Sequence, residues 1–221
     1  MGFQGFSEAT LQFLAELSAN NDRDWFEANR GRWDQDVLAP ARAFVEAIAP
    51  GVHAIDPELD ASPKVGGAIF RLHRDTRFSK DKRPFKEELA FRFAVDGAAS
   101  GLFLRLRPGL VGFAAGCWTF EPPQLARFRA AVAAESGAAL DERVQTLGKS
   151  GCGYESQPLK RVPAPWPAEH PRAHLLKARG LIVGVDRPIP DSFATPAFAD
   201  WCLARLGEVA PVHQWLRENV G

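Results

Sequence analysis

The stretch RDTRFSKDKRPFK, Arg74 to Lys86, places six basic side chains, two aspartates and two hydroxyls in thirteen consecutive positions. Such a composition suits an anion. Arginine offers a planar fork that matches phosphate or carboxylate, lysine adds a compact point charge, and each charge-assisted hydrogen bond contributes about 1.5–3 kcal/mol. The ligand-binding candidates are Arg71, Arg74, Arg77, Ser79, Lys80, Lys82 and Lys86. Trp118 joins them, because an aromatic at the end of a predicted strand can stack on a ligand as well as fill a core. Asp75, Ser79 and Asp81 are the candidate catalytic groups. The hydroxyl would act as nucleophile or anion donor; the carboxylates would act as base, as metal ligand or as partners that hold neighbouring arginines. No further carboxylates at suitable spacing accompany them, so no metal site is assigned and the cofactor is left open.

The same stretch has a structural reading. Residues 1–60 carry eleven acidic and four basic side chains, whereas Arg71 to Lys86 carries seven basic and two acidic ones. The basic block can therefore dock on Asp22, Asp24, Glu27, Asp34 and Asp36 as an ionic clasp between acidic N-terminal helices and a sheet. A network of that kind fixes geometry while adding little net stability. A third reading is a non-enzymatic interaction module using the basic face with Phe78 and Phe85, or the proline-rich segment further on. Overall neutrality and the lack of a recognisable nucleic-acid motif set nucleic acid aside as a partner, and a protein partner is left open.

Other matches carry less. Gly148-Lys149-Ser150 resembles the end of a phosphate-binding loop, but Arg143 stands where the required glycine would be and the preceding segment reads as helix. His170 and His174 have a helical spacing that zinc could use, yet Pro171 sits at the helix start and no third ligand is indicated. Ser79 and Lys82 spell a serine–lysine pairing one helical turn apart, and Pro84 argues against a helix there.

The elements that must position these groups follow from periodicity. Leu11, Phe13, Leu14 and Leu17 recur at helical spacing after Ser7, and Asn20-Asn21-Asp22 ends one helix and caps the next. The second helix runs from Trp25 through Trp33, Val37 and Leu38 to Ile48, with a kink or fresh start at Pro40 and an end at Pro50-Gly51. Then the period changes. Residues 67–74 and 89–95 alternate as strands, and residues 101–118 hold two strands around Pro108-Gly109. Helices follow at Pro122 and at residues 138–147, then an extended proline-rich strap at Pro158 to Pro167. A short helix at residues 173–178, a strand at 181–185 and a C-terminal helix from Pro196 complete the chain. This order predicts an α+β fold: N-terminal helices, a central, mostly antiparallel sheet and C-terminal helices.

The 221 residues, 46% hydrophobic and 24% charged, are read as one domain over residues 1–221. The apolar runs are shorter than the roughly 20 residues that span a bilayer, and Cys117, Cys152 and Cys202 are too few and too scattered for a disulfide framework. The expectation is a cytoplasmic protein with no membrane association.

Four segments also carry a resemblance: NNDRDWF at Asn20 to Phe26, RDTRFSKDKRPFK at Arg74 to Lys86, GCW at Gly116 to Trp118 and PLKRVP at Pro158 to Pro163. Together they resemble the bacterial and fungal family known as domain of unknown function 2461. The resemblance implies a single-domain protein whose signature is the Arg74–Lys86 block, and it implies no activity.

Overall fold

The computed structural model describes residues 2–77 and 79–221. The first helix, α1 (Glu8–Ala19), buries Thr10, Phe13, Leu14 and Leu17, and Asp22 caps α2 (Arg23–Ala28) by accepting from the Trp25 amide at 2.8 Å. The next stretch is not one regular helix. A turn, α3 (Arg30–Arg32), leads through a π-helical stretch at Trp33–Leu38 into α4 (Ala39–Ile55). The buried Thr10 hydroxyl donates to the Asp36 carbonyl at 2.6 Å, which draws that carbonyl out of the regular helical ladder where the winding widens. Pro40, read as a kink or fresh start, lies at the start of α4.

Pro50-Gly51 does not end α4, which continues to Ile55. Pro50 is exposed, so the hydrogen bond it removes is lost on the solvent side, while Ile48 and Val52 stay buried around it. Gly51 lies against Leu203, and a Cβ there would come within 2.4 Å of the leucine methyl.

The sheet is five-stranded and antiparallel, in the order β1-β2-β3-β5-β4. Its strands are β1 (Leu89–Ala94), β2 (Gly101–Arg107), β3 (Leu110–Cys117), β4 (Gly153–Glu155) and β5 (Leu181–Pro188). In β2, Leu102, Leu104 and Leu106 are buried while Arg105 faces solvent, the period of two read from the sequence. The short β4 pairs Tyr154 with Val183; three exposed residues carry no alternation by which it could be foreseen.

Residues 67–74, expected to be a strand, form isolated bridges instead. Ile69 pairs with Phe91 and His73 with Phe85. The amides of Phe70 and Arg92 reach across to the carbonyls of Ala90 and Ala68, but no continuous ladder forms. The remaining helices are α5 (Pro122–Ala133), α6 (Ser136–Lys149), α7 (Ala173–Leu176) and α8 (Ala197–Val220), the last preceded by a 3-10 turn at Asp191–Ala194. The architecture is α+β, and no helix among the described residues is long and apolar enough to cross a membrane.

The chain divides into two compact units. One comprises Met1–Phe93, Phe103–Gly112 and Arg187–Ala204; the other comprises Ala94–Leu102, Phe113–Asp186 and Arg205–Gly221. The core of the first unit is aromatic: Phe6 packs on Phe44, Phe193 and Phe198, and a second run links Phe13, Trp33, Phe26 and Phe85. The second unit is built round Phe120, Phe128 and Trp215. There the Arg172 guanidinium donates to the carbonyls of Val132, Ala133 and Ala134, satisfying the C-terminal end of α5.

Burial also ranks the thiols. Cys152 and Cys202 are buried, and burial pushes the Cys202 thiol well above the ordinary value, whereas Cys117 is half-buried. Iodoacetamide at pH 8 is expected to label Cys117 in the native protein, and Cys152 and Cys202 only after denaturant is added. Native labelling of Cys202 at the rate of a small free thiol would contradict its place in α8.

Candidate functional site

The Arg74–Lys86 block is a hairpin loop in the first unit. Its arms are tied by the His73–Phe85 bridge, by the Arg74 amide donating to the Pro84 carbonyl at 2.8 Å, and by the Lys86 amide donating to the Leu72 carbonyl at 2.8 Å. Pro84 is tolerated because only its carbonyl is asked to pair. One side chain fixes the hairpin to the N-terminal segment: Asn21 donates its amide to the Phe85 carbonyl and accepts from the Phe85 amide, both at 3.0 Å. Below that clamp the buried Phe85 ring lies 4.5 Å from Phe26.

Within the loop a three-residue pattern occurs twice. In Asp75-Thr76-Arg77 and again in Asp81-Lys82-Arg83, the aspartate accepts from both the backbone amide and the guanidinium of the arginine two positions on. Asp81 also holds the Arg74 Nη1 at 2.8 Å, and Arg83 reaches on to Glu87. The backbone amides of Arg77 and Arg83 are thus occupied by the loop's own aspartates. Arg83, left out of the candidates by sequence reasoning, is the most heavily bonded member; the two D-x-R spacings were the signal for it.

Electrostatics follow from this pairing. Hydrogen bonds from Arg83, then from Arg74, hold the Asp81 carboxyl far below the usual carboxylate range, and Arg77 lowers Asp75 in the same way. A carboxylate so stabilised is a weak base, which counts against Asp75 and Asp81 as proton acceptors. Because the folded value is depressed, the pairing is present above the ordinary aspartate value and is lost only as pH falls through the lower one. Ser79 closes a turn by donating its amide to the Thr76 carbonyl. Lys82 donates its Nζ to the same carbonyl at 2.9 Å, and no Ser79–Lys82 hydrogen bond is found among the described residues.

Arg74, Arg77, Ser79, Lys80 and Lys82 thus share one loop. Arg71 lies over Gly66, outside it. Lys86 turns inward: its ammonium stands 4.3 Å from the Phe70 ring centre, and burial lowers its pKa, so it packs beneath the hairpin instead of joining the loop cations. Trp118 belongs to the second unit, where it is 52% exposed. Phe78 lies outside the described residues.

The ionic clasp with the acidic helices takes another form. Arg74 and Arg83 pair with Asp81 and Glu87, while Glu16 and Glu27 pair with Arg32 and Arg30 beside them and Asp22 serves as a helix cap. The hairpin is fastened by the Asn21 amide and the Phe26–Phe85 contact. Of the other motifs, Gly148-Lys149-Ser150 is the C-terminal end of α6, and His174 pairs with Asp141 at 3.2 Å.

Among solved structures the chain is similar to an uncharacterized protein from Methanothermobacter thermautotrophicus, at 12% identity over 80% of this chain and 99% of that one, with a TM-score of 0.35. No curated protein matches it. The sequence profile of the DUF2461 family, described as a conserved hypothetical protein, matches residues 9–215 and takes in the hairpin, its Asn21 clamp and the proline-rich strap. The chain belongs to the DUF2461 family.

Proposed function

We propose that the hairpin binds a small molecule bearing a phosphate or carboxylate group. The observation that carries this is the state of Arg74. One nitrogen, Nη1, serves both Asp81 and the Arg83 carbonyl, which positions the guanidinium and leaves its Nε and Nη2 without a hydrogen-bond partner among the described residues. The exposed Lys80 is adjacent to Asp81 in the chain, so a held fork and an uncompensated ammonium belong to the same short loop.

Titration with inorganic phosphate, pyrophosphate and a dicarboxylate, read by thermal shift, tests this. A probe at 100 times its Kd adds about 2.7 kcal/mol, which raises the midpoint by about 5–10 °C in a protein of this size. The shift is expected to vanish in Arg74→Gln/Lys80→Gln. A flat response to every probe, or a shift that survives the double change, would remove the proposal.

A second reading, a structural latch, rests on the Asn21 clamp and the buried Phe85 ring. On that reading Arg74→Gln lowers the midpoint of the unliganded protein and no anion raises it.

A further inference from the structure

The proline-rich strap takes no part in the function proposed above, yet it walls a cleft of about 500 Å³ within the second unit. The strap is fixed at its start by the Leu159 amide, which donates to the Lys177 carbonyl at 2.8 Å just beyond α7. It folds back where the Trp166 amide donates to the Pro163 carbonyl. Pro158, Pro163, Pro165 and Pro167 restrict φ, so this wall has less conformational freedom to lose when a ligand binds.

Lys160, Arg161 and Lys177 line the cleft, and no acidic residue does. None of the three side chains has an ion-pair or hydrogen-bond partner among the described residues, in contrast to the hairpin arginines with their aspartates. Three uncompensated cations round one concavity create a field that an anion relieves. The half-buried Trp166 contributes an aromatic surface to the same lining, with Val162 and Pro165. The volume lies within the range of small-molecule sites, about 300–1,000 Å³.

We propose that this cleft is a second ligand site, for a phosphorylated heterocycle of nucleotide size. The ring stacks on Trp166 and the phosphates are held by Lys160, Arg161 and Lys177. Stacking accepts any planar base and the cations accept any phosphate, so the site requires ring and phosphate on one molecule.

The test is titration of the full chain at low salt with ADP, adenosine and pyrophosphate, followed by tryptophan emission and calorimetry. In the Arg74→Gln/Lys80→Gln chain, whose hairpin no longer holds a phosphate, ADP is expected to bind and quench, and adenosine and pyrophosphate to bind at least tenfold more weakly. Lys177→Gln should weaken ADP at least tenfold with the thermal midpoint unchanged, and Trp166→Phe should remove the quench. Persistence of ADP binding in Arg74→Gln/Lys80→Gln separates this cleft from the hairpin. Any of four results overturns the proposal: no ADP binding, pyrophosphate binding as tight as ADP in the hairpin variant, ADP affinity indifferent to both Lys177→Gln and Arg161→Gln, or ADP binding lost in the hairpin variant.

Discussion

Phe85→Ala lowers the unfolding free energy by about 3–5 kcal/mol, the cost of truncating a buried phenylalanine. Phe85 is only 2% exposed, its ring lies 4.5 Å from Phe26 and 5.0 Å from His73, and it ends the aromatic run that begins at Phe13. The expected fall in thermal midpoint is about 10 °C. Urea denaturation measures the free energy, and Phe85→Leu, which keeps most of the volume, should lose less than about 1.5 kcal/mol. Should alanine cost less than about 1 kcal/mol, the ring would not be the anchor of the hairpin. Asn21→Ala gives an independent reading, since it strips both partners from the Phe85 backbone at a cost of about 1–3 kcal/mol.

Gly116→Ala has a comparable effect for a different reason, an expected loss of about 3–5 kcal/mol from backbone strain and overpacking together. Gly116 has a φ of +130°, and a Cβ there would lie 1.9 Å from the Leu181 carbonyl oxygen and 2.9 Å from its carbon. The obstruction is backbone of β5, which cannot swing aside as a side-chain tip can. Gly109→Ala is the control: its φ is +83° but nothing lies within 4 Å of the new Cβ, so only the conformational cost of about 1–2 kcal/mol remains. Equal losses in the two variants, measured by denaturation, would mean that close approach is not what requires glycine at Gly116.

Strands β1 and β2 were legible because they follow the period of two, and Pro108-Gly109 marks the turn into β3, whose apolar run is buried without alternation. Residues 67–74 alternate almost as well, but they form only isolated bridges, Ile69 to Phe91 of β1 and His73 to Phe85, and periodicity reports burial without reporting whether a neighbour completes the ladder. Pro50-Gly51 misled in the opposite direction: local chemistry favours an end, and the packing of Ile48, Gly51 and Val52 overrides it. At the candidate site the charge count drew the eye to the right residues and to the wrong partners. Acids and bases summed over whole segments suggested helix against loop, whereas each aspartate of the loop satisfies the arginine two positions on, a distance too short for any segment average to register. Asn21 was read as part of a helix boundary, and nothing in its neighbours in the chain reveals the strand-like clamp it makes 64 residues away.

The division of the chain bears on how the protein is made. Each unit draws on three separated stretches, the first needing Arg187–Ala204 and the second Arg205–Gly221. During synthesis at about 5–20 residues per second, the first cannot close before Arg187–Ala204 has emerged, nor the second before Arg205–Gly221 has. Phe6 and Phe44 wait over that time for Phe193 and Phe198, and non-local closure of this kind is intrinsically slow. A stop anywhere before α8 therefore leaves two incomplete cores instead of one finished unit and one missing one.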